Sequence, residues 1–326
     1  MNYYVIQRLL LFFPTLFIAS LIVFVTMRVL PGDVVSVVLG GSGQTTVNPQ
    51  DLEALRTEMG LKEPLIVQYL NWIVSMLVGD FGGLSLETRE PIRHLISRQI
   101  GVTVSLTIYA IVIGSFLSVP MGIFAAMNRN RWIDYIARFL SITGNAMPSF
   151  WVGLMLLLGT GIIWNWSPPV VYKSFIDNPI EHIQLMIIPA LALAWQFGSH
   201  LTRTTRSATL DILRQDFIRT ARAKGLPSKK IVSSHILRNV LIPVLTVGSI
   251  QLSGIIGGTI VLESIFGLPG LGRGLVTAVI ARDYPVIQAI AIIFLSITYC
   301  VNLVVDLLYV SIDRRISYQE DKIPNV

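Results

Sequence analysis

Residues 99–128, QIGVTVSLTIYAIVIGSFLSVPMGIFAAMN, run for 30 positions without a charge. A helix rising 1.5 Å per residue needs roughly 20 apolar residues to cross a hydrocarbon core about 30 Å thick, so this stretch is long enough to span a bilayer. Five more charge-free runs share its character, at 9–27, 140–172, 183–202, 239–262 and 284–305. The run at 140–172 contains Pro148, Pro168 and Pro169, so its helix is expected to end near Trp164, with Trp164 and Trp166 at a headgroup interface. Alternating segments of about ten residues, the mark of a membrane β-barrel, are missing. The run at 9–27 is longer than a signal-peptide core of ~7–15 residues and lacks a small-residue cleavage site before Pro31, so it reads as a permanent anchor. The fold class is all-α integral membrane, with about six transmembrane helices.

Composition agrees. Of 326 residues, 53% are hydrophobic and 13% charged, against roughly 45–50% and about 25% in soluble domains, which excludes a typical soluble enzyme. The net charge of +6 would suggest a nucleic-acid partner if the basic residues were clustered, but they lie between the apolar runs and follow topology. With the N-terminus inside, sixteen Lys and Arg fall on cytoplasmic segments and eight on outer ones. Both termini are therefore expected in the cytoplasm and no nucleic-acid partner is expected. The single cysteine, Cys300, cannot form an intrachain disulfide or contribute to a Cys-based zinc set, and no metal site is expected.

Three regions follow: 1–98, the first transmembrane helix and an extracytoplasmic segment; 99–316, a five-helix core with a cytoplasmic loop at 203–238; and 317–326, a polar tail. The segment after Pro31 is glycine-rich at Gly40, Gly41 and Gly43, and a short helix from Asp51 to Met59 is expected to end at Gly60. The loop 203–238 holds nine basic and two acidic residues, yet carries helix punctuation: Asp216 can start a helix, Gly225 can end it, and Pro227 or Ser228 can open the next. On that short helix Ala221 follows Phe217 by four and Ile218 by three, Arg219 and Arg222 share another side, and Thr220, Ala221 and Ala223 are small. Two readings stay open for it. Its cations could retain the loop in the cytosol against anionic lipid, at about 1 kcal/mol each, or the helix could dock a protein.

In the fifth run Gly254 and Gly258 form a GxxxG suited to close helix contact, either as static packing or as a moving pathway helix, with Gln251 a nearby pathway candidate. Glu263 falls at the outer end of that run, where it faces a vestibule that a cationic or zwitterionic substrate enters, or is a water-facing or Arg-paired carboxylate. Asp306 is expected at the inner interface or paired with Arg314 or Arg315. The loop 266–275, with Pro269 among four glycines, is too irregular to face lipid unsupported. There is no GxxxxGK[ST], HExxH or GxSxG, so no catalytic residue is assigned and the chain is not expected to hydrolyse ATP.

The sequence DFIRTARAKGL at 216–226, with PGD at 31–33, VQYLNW at 67–72, GDFG at 79–82, PSFWVGL at 148–154, FGLPGLGRGL at 266–275 and ARDYPVIQ at 281–288, resembles the permeases of the dipeptide/oligopeptide/nickel group of ABC importers. The resemblance covers roughly residues 8–315. It implies a MetI-like permease core with a small extracytoplasmic subdomain after the first helix. It further implies a subunit of an ATP-driven, binding-protein-dependent importer in a prokaryotic inner membrane, forming half of a pathway for small peptides or related solutes. Nickel complexes, opines and glutathione are alternative cargoes, and a non-transporting membrane scaffold is the reading from a different class. The implied partners are a second permease, two ABC ATPase subunits, an extracytoplasmic binding protein and membrane lipid. The chain itself would bind no cofactor, ATP and Mg belonging to the ATPases.

The superfamily's coupling signature, EAA followed by three residues and glycine, falls on Arg219, Thr220, Ala221 and Gly225, with Arg222, Ala223 and Lys224 between. This chain lacks the acidic start, so Ala221 and Gly225 carry the resemblance better than Arg219. The outer loop supplies Pro269, Gly270, Gly272, Arg282 and Asp283 as candidates for a gate or a binding-protein contact.

Overall fold

A charge ends an apolar run but does not end a helix, because backbone hydrogen bonding continues wherever the chain is free to follow it. In the computed structural model, which describes residues 2–29 and 62–312, the runs therefore extend beyond their sequence limits. In chain order the helices are α1 (Asn2–Val29), α2 (Leu65–Val78), α3 (Ile92–Met127), α4 (Trp132–Ala146), α5 (Ser149–Trp164), α6 (Pro179–Leu213), α7 (Asp216–Ala223) and α8 (Ser228–Ile231). A π-helical turn, Val232–Ile236, leads into α9 (Leu237–Ile265), and α10 (Leu271–Ala281) and α11 (Tyr284–Ile312) follow. No strand occurs among the described residues, only an isolated bridge between Leu84 and Pro91.

Five helical stretches are long and apolar enough to cross a membrane, and the pair α4–α5 makes a sixth if its two arms count as one span. The run 140–172 is thus divided. Its first residues belong to α4, the chain turns by 111° between α4 and α5, and α5 ends at Trp164 as expected. Pro148 explains the break, since it forces the residue before it away from helical geometry, and Met147 is extended. The expected boundary at 98/99 falls inside α3, and the expected loop 203–238 is mostly helix, α6 running on to Leu213 and α9 being fed directly by α8 and the π turn. The short helix at 51–59, the tail, Arg314, Arg315 and the Asp306 side chain lie outside the described residues.

Contacts divide the chain into Met1–Leu9, Val104–Leu268 and Cys300–Val326 as one unit, and Leu10–Thr103 with Pro269–Tyr299 as the other. In the first unit α6 is the hub. Asn178 caps it by accepting from the Glu181 amide at 3.2 Å, and Pro179 occupies the first turn, where its missing N–H costs nothing. Small side chains along α6 let neighbours approach: Gly114 and Gly122 of α3 lie directly against Ala194 and Thr205, and Gly144 of α4 against Trp195 and Ser199. The buried stripe of α4 is Asp134, Ala137, Ser141 and Gly144, while Trp132, Tyr135, Phe139 and Ile142 are exposed, as befits a helix with one face on protein and the other on lipid.

One ion pair clamps α4 to α6. The fully buried Asp134 carboxylate receives Arg206 Nε on one oxygen and Arg206 Nη2 at 2.9 Å on the other, which also accepts the Asn130 amide at 3.0 Å. At the start of α6, buried His182 is ringed edge-on by Tyr109, Tyr172 and Phe175, and its Nδ1 faces the Lys173 carbonyl at 3.0 Å. Burial first, then Tyr109 and Asp177, raises the Tyr172 hydroxyl above the usual tyrosine value, so it stays neutral at ordinary pH.

In the second unit, α1 and α2 meet through Phe24, Tyr69 and Trp72, with Phe24 and Tyr69 packed edge to face at 5.4 Å and the Tyr69 hydroxyl 2.8 Å from Ser20 Oγ. The VQYLNW stretch is therefore a packing element, with Tyr69 and Trp72 on its buried side. Gly79, at φ +81°, closes α2 in the left-handed conformation that favours glycine.

Candidate functional site

Two places gather the residues singled out in the sequence. The first is α7. A two-residue link joins it to α6 and a four-residue link, 224–227, to α8. Ile218 is fully buried and Ala221 nearly so, which sets the inner face, and Phe217 leans toward the His235 ring of the π turn with centroids 6.3 Å apart. The helix ends as its sequence foretells: Gly225 turns left-handed at φ +72°, its amide donates to the Arg222 carbonyl at 2.9 Å, and the Leu226 amide reaches back to Ala221 at 3.2 Å. The outward face consists of Asp216, Arg219, Thr220, Arg222, Ala223 and Lys224, continued by Lys229 and Lys230. Arg219 pairs only with Asp216, at 3.3 Å and fully in solvent, where such pairs contribute little.

This geometry changes the roles of two residues. Ala221 faces the interior of its own chain, so a bulky charge there would disturb α7 before reaching any partner. Gly225 has no atom within 4 Å of a would-be Cβ, so what it supplies is its positive φ rather than space. The surface open to a partner is carried by Thr220 and Ala223 among the cations.

The second place is the segment around α10 with the loop before α3. Asp283 is buried, and one carboxylate oxygen accepts the Ser85 hydroxyl, the Leu86 amide at 3.0 Å and the Glu87 amide at 3.4 Å. The other oxygen accepts the Val286 amide at 3.4 Å and so caps α11. Arg282, just before it, takes the left-handed conformation that closes α10. Gly270 precedes α10, whose first amide, Leu271, donates to Thr103 Oγ1 of α3 at 2.9 Å. Gly274 lies so close to Gln99 that a Cβ would overlap its side chain, and Gly272 is buried while Pro269 is exposed. A cavity of about 210 Å³ lined by Glu87, Thr88, Gln99, Arg273, Thr277 and Asp283 opens here.

Asp283→Ala is expected to strip four donors of their acceptor at once, the Ser85 hydroxyl and the Leu86, Glu87 and Val286 amides. At roughly 2 kcal/mol, within the range for bonds to a charged group, hydrogen exchange at the Leu86 and Glu87 amides rises about 30-fold, measurable by mass spectrometry.

The α9 candidates separate. Gly258 is packed against Leu193 of α6 with Ser149 Oγ 3.5 Å from a would-be Cβ, whereas Gly254 and Gly257 have nothing within 4 Å. Ile250, Ser253, Gly254, Gly257 and Val261 form one exposed face, with Gln251 half-buried beside it. Glu263, expected at an open vestibule, in water or paired with an arginine, is fully buried and engaged, which rules out the vestibule and water readings, because the end of α9 is covered: Leu262 and Phe266 close against Gly153 of α5. Sequence reasoning missed Asp134, Ser85, Thr103 and Gln99. Only Asp134 carried a signal, as the lone acid among Arg129, Arg131 and Arg138.

The family described as binding-protein-dependent transport system inner membrane component matches residues 118–318, and its N-terminal counterpart matches 1–107. The chain belongs to this permease family. Curated relatives align along nearly the whole permease. It is 36% identical to the oligopeptide transport system permease protein AppB of Bacillus subtilis (strain 168), covering 97% of this chain and 99% of the relative. It is 38% identical to the glutathione transport system permease protein GsiC of Escherichia coli (strain K12), with the same coverage. A putative peptide transport system permease protein of Brucella suis biovar 1 is 36% identical over 96% of this chain and 98% of its own. A chain of the MetNI methionine ABC transporter, solved in inward facing conformations, superposes with a TM-score of 0.55 at 18% identity, covering 69% of this chain and 99% of that one. The permease thus has the MetI-like fold and is a multi-pass inner-membrane component of an ABC importer.

Proposed function

We propose that this permease forms half of the translocation pathway for short peptides, with both termini cytoplasmic, and that α7 is gripped by a separate ATPase subunit. The single observation carrying the cargo is that relatives 36–38% identical over nearly the full chain are named for peptides, oligopeptides and glutathione, itself a tripeptide. The positive-inside count supports the orientation. The lack of a phosphate-binding GxxxxGK[ST] sequence supports placing ATP and Mg on partner subunits rather than on this chain.

The mechanical logic rests on α7. A helix joined by short links to α6 on one side and to α8, the π turn and α9 on the other passes a push at its exposed face to two membrane helices at once. Along α9, the exposed face of Ile250, Ser253, Gly254, Gly257 and Val261 suits a second permease or the pathway, because small residues permit close approach and later separation. The 210 Å³ cavity around Asp283 and Arg273 would face outward, where a binding protein delivers cargo.

The test is reconstitution of the permease with a second permease, ABC ATPase subunits and an extracytoplasmic binding protein. Uptake of a labelled tripeptide is expected to need ATP and binding protein and to be competed by unlabelled peptides. Competition by nickel complexes or opines but not by peptides would contradict the cargo, and no uptake with all subunits assembled would favour a scaffold.

A further inference from the structure

Between α3, α4, α5 and α6 lies a cavity of about 430 Å³, with a wall almost wholly hydrocarbon from residues such as Leu117, Met121, Leu140, Leu156 and Leu191, and with the Trp195 ring at its side. It reaches Ser141 of α4 and Thr202 of α6, and these two residues also line a second cavity of about 300 Å³ whose walls include Arg138, Asn145, Arg203, Arg206 and Ser207. The lining therefore changes from hydrocarbon to guanidinium within two turns of α6. Both volumes lie in or near the 300–1,000 Å³ range typical of sites for small molecules.

The polar end carries excess positive charge. Asp134 is the carboxylate bonded to this cluster, and it is taken up by Arg206 through two bonds and by Arg138 at 3.4 Å. Arg138 Nε is buried without a hydrogen-bond partner, and Arg203 is exposed. Three guanidinium groups thus face one carboxylate. A peptide pathway would need polar groups along its length to replace hydration, and the larger cavity offers almost none. An acyl chain needs none, and a phosphodiester suits paired arginines, which bind phosphate oxygens through two parallel N–H bonds.

We propose that this paired cavity binds one anionic phospholipid of the phosphatidylglycerol type, with one of its two acyl chains beside Trp195 and its phosphate at Arg138 and Arg203. Basic pockets between transmembrane helices on the cytoplasmic side are suited to such headgroups. Only the assignment to the inner leaflet rests on the proposed orientation; binding itself does not, nor does it depend on the cargo.

The test uses the full-length chain in phosphatidylcholine vesicles doped with phospholipid brominated on its acyl chains, a contact quencher of tryptophan. The Trp195 signal is the difference between the native chain and Trp195→Phe. Brominated phosphatidylglycerol is expected to quench that signal at a several-fold lower mole fraction than brominated phosphatidylcholine. Arg138→Gln with Arg203→Gln removes the preference. Arg203→Gln alone, at an exposed position, weakens it without threatening the fold.

Equal quenching by the two lipids would reduce the site to ordinary boundary lipid and overturn the proposal. Glycerol 3-phosphate binding that is lost in the double variant, with no preferential quenching by brominated phosphatidylglycerol, would reveal an anion site without an acyl chain, which overturns it as well. A preference retained in the double variant would show that those arginines do not hold the headgroup, again against the proposal.

Discussion

ATP-driven uptake is expected to fall at least ~30-fold in a Thr220→Glu, Ala223→Glu variant, with the amount of inserted permease unchanged. Both residues are exposed on α7, and the Thr220 hydroxyl donates to the Asp216 carbonyl of its own helix, at 3.0 Å. Folding should therefore not notice the change. A docked ATPase surface should, because it must accommodate Arg219, Arg222, Lys224, Lys229 and Lys230 with acidic or carbonyl groups, and two new carboxylates would repel these. Central positions of an interface lose about 2–4 kcal/mol when spoiled, which is roughly 30-fold or more in association. Ala221→Glu is the informative contrast. It places a carboxylate on the buried side of α7 beside Ile218, so the loss there appears in the yield of folded protein rather than in coupling alone.

The second large effect concerns the clamp between α4 and α6. Asp134→Ala leaves the Arg206 guanidinium and the Asn130 amide without their acceptor. Breaking a buried pair by removing one partner costs about 3–5 kcal/mol, and the lower end applies here because the Arg206 side chain is 20% exposed and can turn toward solvent. The expected result is a lower thermal midpoint for the purified chain in detergent and protease sensitivity of the 128–131 turn. Asp134→Asn, which keeps one acceptor, should fall between. A midpoint unchanged in both variants would show that the pair does not hold α4.

Much of this is legible in the sequence. The apolar runs mark the long helices because hydrocarbon length is a hard requirement, and Asp216, Gly225 and Pro227 bound α7 because caps and left-handed turns are local chemistry. The limits are physical too. α2 escaped notice because its 14 residues fall short of a span and sit in a charged stretch. The 111° turn at Pro148 leaves no trace in a count of uncharged residues, since such a count has length but no direction. Which side of α7 faces outward, and that Gly258 packs inside its own chain while Gly254 does not, depends on neighbours distant in sequence. Asp283 shows the same limit, as its partners Ser85 and Leu86 lie almost 200 residues earlier.

The central claim is that an engine encoded elsewhere holds α7 by its exposed face. Because Cys300 is the chain's one cysteine, a Cys300→Ser background makes a single added thiol readable. Ala223→Cys in that background, treated with a short thiol-to-amine cross-linker in inside-out vesicles of the assembled importer, is predicted to give one adduct joining the permease to its ATPase subunit. An Ala223→Cys thiol that reacts with membrane-impermeant reagents only from the outer face of intact cells, and never cross-links to the ATPase, would contradict the account.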